Sequence, residues 1–262
     1  MFTHVLKVLI CRILYKKKST IAVRQALQVL TLLLKSSAKH ADYLYLRLKL
    51  FLLLGDANFR NYYKDYVPLT FEHSIKKLKL GAKYHINHFD PDKAQEEVEK
   101  LEKLLESAVL WKEKNMLGDK DYERALNISK YKSSISFLRA SISYIRNDSY
   151  YSIVNILSDI HPTYRRKPKV LIFELKLIQL APNNYFYNSE FFQKAQVALS
   201  TLDGKSQTIC WQYIIIYCLK NDLKQQGKSI LNNMGSTRFA RVDTLYPLSV
   251  VSFTHCPLLK VY

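Results

Sequence analysis

The sequence predicts an all-α protein, a right-handed solenoid of stacked antiparallel helix pairs, and three observations lead to this fold class. Apolar residues recur with helical spacing along most of the chain, in segments bounded by Asn, Asp, Gly or Pro. The 262 residues include only 6 glycines and 7 prolines, too few turn formers for an all-β sandwich or barrel. A pattern recurs at intervals of 36 and 38 residues, which is typical of repeat proteins.

The first half of the chain contains predicted helices, one of which has a clear start signal. Asp90 stands before Pro91, and an Asp cap followed by proline at the first helical position is typical of a helix N-terminus. Acidic residues come early in the helix that follows, where they favour the positive end of the helix dipole. Helical periodicity predicts helices over 3–16, 20–36, 39–54, 57–66, 70–87 and 91–116.

The second half contains an internal repeat of three segments that align without gaps, at 137–148, 173–184 and 211–222. Each segment opens with an aromatic residue and has isoleucine five positions later and asparagine ten positions later. The aromatic and the isoleucine are expected to hold each helix against its neighbours. The asparagine and the residue after it are expected to end that helix and cap the next. The three sets are Phe137, Ile142 and Asn147; Phe173, Ile178 and Asn183; and Trp211, Ile216 and Asn221.

A second predicted helix follows each of these segments. A unit of this length with two helices cannot bury its apolar face alone, whereas three or more stacked units can. The repeat therefore predicts stacking of helix pairs. The predicted helices of this half are 120–129, 132–146, 149–159, 168–181, 188–202, 207–220 and 222–233.

The stretch WKEKNMLGDKDYERAL contains Gly118, Tyr122 and Ala125 in that order. It resembles the turn of a tetratricopeptide (TPR) repeat, where a glycine, an aromatic residue and a small residue let two helices pack closely. The repeat is degenerate, because its spacing exceeds the family's 34 residues and Asn replaces Gly in three turns. The resemblance implies a curved array of helix pairs that binds peptides or protein surfaces on its concave side, without catalytic residues.

Charge and composition divide the chain into three predicted regions. A basic N-terminal helical region covers 1–90, with 16 basic and 5 acidic side chains. TPR-like helical repeats cover 91–234. A non-helical C-terminal tail covers 235–262, where two prolines and many β-branched residues replace the helical period.

The whole chain has a formal net charge of +18, which indicates anionic partners. The alternative is that exposed lysines only keep the protein in solution. Within HPTYRRKPK at 161–169, four basic residues lie in a loop that leads into a helix, where they suit a carboxylate or phosphate. A solvated linker is the other interpretation of this loop. The predicted partner-binding residues are Arg139, Arg146, Arg165, Arg166, Lys167 and Lys169.

The predicted function is a non-catalytic protein-interaction module, such as an adaptor, a scaffold or a chaperone-like subunit, that binds an acidic peptide or protein surface. One alternative is a nucleic-acid-binding helical repeat protein, because tyrosines alternate with basic residues. Another is an accessory or regulatory subunit of a separately encoded enzyme. The sequence has no Gly-rich phosphate loop, GxSxG, HExxH or dinucleotide fingerprint, so we predict no enzyme activity and no cofactor.

Three further patterns concern metal, redox state and membranes. His85, His88 and Asp90 have a spacing suited to metal ligands, but the end of a helix favours histidine without metal, and no metal site is predicted. Cys210 and Cys218 lie two helical turns apart, too far for a disulfide, which indicates a reduced, cytoplasmic protein. No transmembrane helix is predicted. Residues 3–18 form a basic amphipathic segment, which suits peripheral contact with an anionic membrane.

Overall fold

The computed structural model describes residues 20–36, 40–113, 128–181, 185–223 and 225–226. Helices account for 83% of the interpretable residues, and no strand occurs among them. The all-α class predicted from hydrophobic periodicity is therefore confirmed. The predicted helix over 3–16, the turn with Gly118, Tyr122 and Ala125, and the tail over 235–262 lie outside the described residues.

Most of the described helices, labelled in chain order, begin and end close to the predicted positions, but the helix Ile128–Ile145 is continuous where separate helices over 120–129 and 132–146 were predicted. The first group is α1 (Thr20–Ser36), α2 (Ala41–Leu54), α3 (Phe59–Asp65), α4 (Phe71–Asn87), α5 (Pro91–Glu113) and α6 (Ile128–Ile145). The second group is α7 (Tyr150–Ser158), α8 (Pro162–Arg165), α9 (Pro168–Ile178), α10 (Tyr185–Thr201) and α11 (Gly204–Lys220).

The short helix α8 corrects the expectation that residues 161–169 form a loop throughout. Pro162 stands at the start of this helical turn, where its missing N–H costs no hydrogen bond. The His161 ring nitrogen accepts a hydrogen bond of 3.3 Å from the Thr163 amide, which caps the turn. The basic residues therefore lie at the end of α8, in the short turn after it and in the first turn of α9.

The described helices form two compact units that divide between Arg146 and Asn147. In the first unit, α2 packs against α1, α3 and α4. Helix α4 also packs against α5 and α6, and α5 packs against α6. The predicted boundary at residue 90 falls between α4 and α5, two helices of the same unit.

Two apolar clusters hold the first helices of this unit together. One joins α1 to α2, and the other joins α2, α3 and α4. Burying each large apolar side chain contributes on the order of 1.5–3 kcal/mol. The largest fully enclosed members of these clusters are Leu30, Leu33, Leu48, Leu50 and Phe59.

In the second unit, α9 packs against α8, α10 and α11, and α10 also packs against α11. Tyrosines connect α7 to α10. The hydroxyl groups of Tyr151 and Tyr187 share a hydrogen bond of 2.6 Å. The ring of Tyr150 meets the Tyr187 ring edge to face, with their centroids 5.5 Å apart.

The repeat residues behave alike in the first two segments and differently in the third. Phe137, Ile142, Phe173 and Ile178 are buried as predicted. Trp211 and Ile216 are only half-buried, because α11 instead turns its neighbouring positions to the core. Those buried positions are Cys210, Tyr213, Ile214, Tyr217 and Cys218.

The turns after the repeat helices agree with the prediction in part. Asn147 has a φ of 61°, the left-handed conformation expected of an asparagine that follows a helix. After α11, Asp222 takes this conformation with a φ of 53°, and Asn221 does not. Ser149 caps α7 by accepting a hydrogen bond of 3.2 Å from the Ser152 amide, so the predicted capping by Asp148 is wrong.

Cys210 and Cys218 are buried, and neither forms a disulfide, as the spacing predicts. Burial raises the pKa of the Cys210 thiol to about 12. No described helix combines the length and the apolar composition that crossing a bilayer requires.

Candidate functional site

The basic segment of the second unit is arranged around one aromatic ring, that of Tyr164. This side chain is only 4% exposed and lies beneath two lysines. The Lys167 ammonium is 3.8 Å from the centre of the Tyr164 ring, and Lys169 donates a hydrogen bond of 2.6 Å to the Tyr164 hydroxyl. We call Tyr164, Lys167 and Lys169, with the neighbouring Arg166, the Tyr164 cluster.

Arg165 has a different partner, the buried carboxylate of Glu174. Its Nε donates a hydrogen bond of 2.6 Å to Glu174 Oε1, and Glu174 is only 5% exposed. A carboxylate removed from water needs such a charged partner, because an unpaired buried charge is strongly destabilising. Arg165 therefore stabilises the fold of this segment, and its charge is largely compensated.

The remaining cations of the segment differ in exposure. The side chain of Arg166 is exposed and forms no ion pair within the described part of the chain. Burial lowers the pKa of Lys169 to about 8, so this lysine is mostly charged at pH 7. The Tyr164 cluster therefore presents three positive charges next to the neutralised Arg165–Glu174 pair.

The other two predicted residues, Arg139 and Arg146, belong to the first unit. Arg139 Nη2 is 2.7 Å from Glu102, and Arg146 Nη2 is 3.0 Å from Asp92. Arg139 lies in α6 and Arg146 directly follows its end, and both pair with carboxylates of α5. The pair with Asp92 is a surface pair, since the Asp92 side chain is 86% exposed, and it contributes little to stability. The structure brings four of the six predicted residues together.

A groove of about 400 Å³ in the first unit was not predicted from the sequence. Its most deeply placed polar group is Glu97, which is 8% exposed. The Tyr63 hydroxyl donates a hydrogen bond to Glu97 Oε2, and Lys100 donates one of 3.0 Å to Oε1. The lining residues come from α3, α4, α5 and the α3–α4 loop: Tyr63, Pro68, Ser74, Lys77, Leu78, Glu97, Lys100 and Leu104.

Lys77 is the second cation of the groove. Its ammonium donates a hydrogen bond of 2.6 Å to the backbone carbonyl of Tyr66 and lies 4.9 Å from the centre of the Tyr63 ring. Burial lowers the pKa of Lys77, and the nearby Glu97 carboxylate partly opposes this shift. Backbone and ring contacts thus hold this side chain in one place.

Gly81 makes room for the contact between Tyr63 and Glu97. A Cβ atom at this position would lie 2.7 Å from both Glu97 Oε2 and Tyr63 Cζ, closer than real Cβ contacts come. A glycine in the middle of a helix usually marks close packing. Gly81 inside the predicted helix over 70–87 was therefore the available sequence signal for this site.

The two histidines at the end of α4 differ in their contacts. His88 Nδ1 lies 2.8 Å from the carbonyl oxygen of Tyr84, whereas His85 Nδ1 lies 3.8 Å from Asp90 Oδ2 and has no hydrogen-bond partner within the described part of the chain. Burial lowers the pKa of His85. Among the described residues, no group of His, Cys, Asp and Glu is arranged to hold a metal ion.

Comparisons of the chain with protein-family models, with curated proteins and with solved structures gave no match.

Proposed function

We propose that this protein is a non-catalytic interaction module that binds an acidic segment of a partner protein through the Tyr164 cluster. The observation that carries this proposal is the placement of Lys167 and Lys169 on one buried aromatic ring. Cations held in this way have already lost most of their conformational freedom, so binding a carboxylate costs less entropy. Arg166 adds an exposed guanidinium that suits bidentate contact with a carboxylate.

The contacts between helices support a TPR-like arrangement of stacked antiparallel pairs within each unit. In such an array, the first helix of a pair contacts its own partner and the first helix of the next pair. Helix α4 contacts α5 and α6 in this pattern, and α9 contacts α10 and α11. We therefore propose helix pairs as the scaffold that positions the binding segment.

The Tyr164 ring favours a carboxylate partner over single-stranded nucleic acid. Bases bind such proteins by stacking on exposed aromatic faces. Tyr164 is buried, and the Lys167 ammonium lies over its ring, so this face offers no platform for a base. Nucleic acid would then bind through phosphates alone, with a steep dependence of affinity on salt concentration.

The test uses the full chain and a fluorescent peptide of alternating Glu and Ser residues. The double variant Arg166→Gln/Lys167→Gln should weaken peptide binding about tenfold, since two charge-assisted contacts are lost. Lys220→Gln, which removes an exposed charge on α11, is the control and should change affinity less than about twofold. Unchanged binding by the double variant would contradict the proposal. Tighter binding of an oligonucleotide of equal charge, with a steep salt dependence, would favour the nucleic-acid alternative.

A further inference from the structure

The groove between α3, α4 and α5 is a second site, separate from the Tyr164 cluster of the proposed function. It belongs to the first unit, and none of its lining residues is in the cluster. Two properties of the groove indicate what it binds, namely the charge of its polar residues and the apolar surface beside them.

The charged lining residues are two lysines and one carboxylate. Lys100 already donates to Glu97, and Lys77 donates to the Tyr66 carbonyl. Each ammonium group has three donors, so both lysines retain capacity for another acceptor. A single additional carboxylate would balance the second positive charge, whereas a cationic ligand would meet two like charges.

Apolar side chains form the other part of the surface. Leu78 and Leu104 are half-buried in the groove wall, beside Pro68. Val67 and Leu69 flank Pro68 and are 69% and 70% exposed. An apolar side chain laid against this wall would remove these surfaces from water, which favours binding.

We propose that the groove docks a partner-protein segment in which an acidic residue stands next to a large aliphatic one. The acidic carboxylate binds Lys77 and Lys100, and the aliphatic side chain packs on Leu78 and Leu104. The groove is shallow and open to solvent. A drug-sized ligand usually has most of its surface enclosed by its pocket, and this shape does not provide that enclosure. A polypeptide segment also covers the exposed residues on either side of Pro68.

The groove is formed before any partner binds. Gly81 lets the Tyr63 ring lie against Glu97, and the hydrogen bond between them fixes the base of the groove. Lys77 is held by a backbone carbonyl. A site whose side chains are already fixed loses little entropy on binding, so short peptides suffice as probes.

The experiment compares two fluorescent peptides of equal length and charge, one of alternating Glu and Leu and one of alternating Glu and Ser. The full chain should bind the Glu–Leu peptide at least about tenfold more tightly. Lys100→Gln and Leu104→Ser should each reduce this preference to about twofold or less, because one removes a charge and the other the apolar wall. Lys103→Gln, an exposed position on the same helix outside the groove, should leave the preference unchanged.

Two results would overturn the inference. One is that Lys100→Gln and Leu104→Ser prefer the Glu–Leu peptide over the Glu–Ser peptide to the same extent as the wild type. The other is loss of the preference in Arg166→Gln/Lys167→Gln, which would place the apolar contact at the Tyr164 cluster. Thermal unfolding of each variant, and retained binding of the Glu–Ser peptide, separate loss of docking from loss of fold. If instead the proposed function is wrong, the double variant Arg166→Gln/Lys167→Gln will bind the Glu–Ser peptide as tightly as the wild type does.

Discussion

The Tyr164 cluster and the groove contain the same chemical groups in different arrangements. Each has a tyrosine and two lysines, and a buried glutamate lies inside the groove and another beside the cluster. Beside the cluster, the carboxylate of Glu174 pairs with Arg165, and within it the Tyr164 hydroxyl accepts a hydrogen bond from Lys169. In the groove, the tyrosine hydroxyl donates to the carboxylate, and a lysine shares that same carboxylate.

The choice of partner for the glutamate accounts for the difference between the sites. At Glu174, Arg165, which is not part of the cluster, neutralises the carboxylate, so the cluster keeps a net positive charge. At Glu97, one lysine of the site compensates the carboxylate, which leaves a smaller excess of charge. The groove adds an apolar wall. We therefore expect charge to dominate binding at the cluster, and burial of apolar surface to contribute to binding in the groove.

The largest expected effect tests whether Arg165 serves the fold. Arg165→Met leaves the Glu174 carboxylate buried without a charged partner and should lower the free energy of unfolding by about 2–3 kcal/mol. Glu174→Met leaves an arginine whose side chain is 41% exposed and can be hydrated, so its cost should stay below about 1 kcal/mol. Denaturant unfolding of both variants measures the asymmetry.

The double variant Arg165→Met/Glu174→Met is the control for this comparison. It should recover most of the stability that Arg165→Met loses, because it removes the unpaired carboxylate. Equal costs below about 1 kcal/mol for the two single variants would mean that the ion pair is no more than a surface contact.

A smaller effect is expected at Gly81 in the groove. Gly81→Ala gains about 1 kcal/mol of helix propensity. The new methyl group forces the Tyr63 ring and Glu97 apart, at a cost of about 2–3 kcal/mol, since overpacking in a tight site is destabilising. The net loss in free energy of unfolding should be about 1–2 kcal/mol. In a Tyr63→Leu background the alanine should no longer destabilise the protein and should stabilise it by up to about 1 kcal/mol. Additive costs in this cycle would exclude the close approach to Tyr63 as the cause.

The smallest expected effect is the pH dependence of the Tyr164 cluster. Because burial lowers the pKa of Lys169 to about 8, its charge is present at pH 7 and mostly lost at pH 9. Affinity for the Glu–Ser peptide should fall about twofold to threefold over this range. Lys169→Arg keeps its charge and should show a flat profile, whereas the same decline in both proteins would assign the titration to another group.

The same shift of pKa has an effect of opposite sign on stability. In the folded protein the pKa of Lys169 is about 8, whereas in the unfolded chain it has the ordinary value of 10.5. Between these values the unfolded state binds more protons, so the free energy of unfolding rises with pH. Titration of unfolding stability from pH 8 to 10.5, in the wild type and in Lys169→Arg, measures this contribution.

Most of the described helices could be predicted from the sequence because their signals are local. Asp90 caps α5 as expected, with the Lys93 amide donating a hydrogen bond of 3.2 Å to its carboxylate. The helical turn at Pro162 was missed, since four residues are too few to show a hydrophobic period. The cap at Ser149 was missed because the neighbouring Asp148 is an equally good candidate by residue type.

The sites were less predictable because their contacts join distant parts of the chain. The excess of lysine and arginine identified the segment around Tyr164, but the pairing of Arg139 with Glu102, 37 residues away, left no local pattern. Tyr63 and Glu97 are 34 residues apart, and the groove exists only when α3, α4 and α5 are packed together. Composition thus predicted an anionic partner and gave no indication of the groove.

The two enclosed cysteines of α11 give this protein an internal reporter of helix opening. Alkylating reagents attack the thiolate, and Cys210 is both completely inaccessible to solvent and disfavoured from ionising by its surroundings. Modification of this sulfur therefore requires α11 to detach transiently from α9 and α10. In a chain with Cys11 and Cys256 replaced by serine, the labelling rate would measure how often the last described helix pair comes apart, with and without a bound partner.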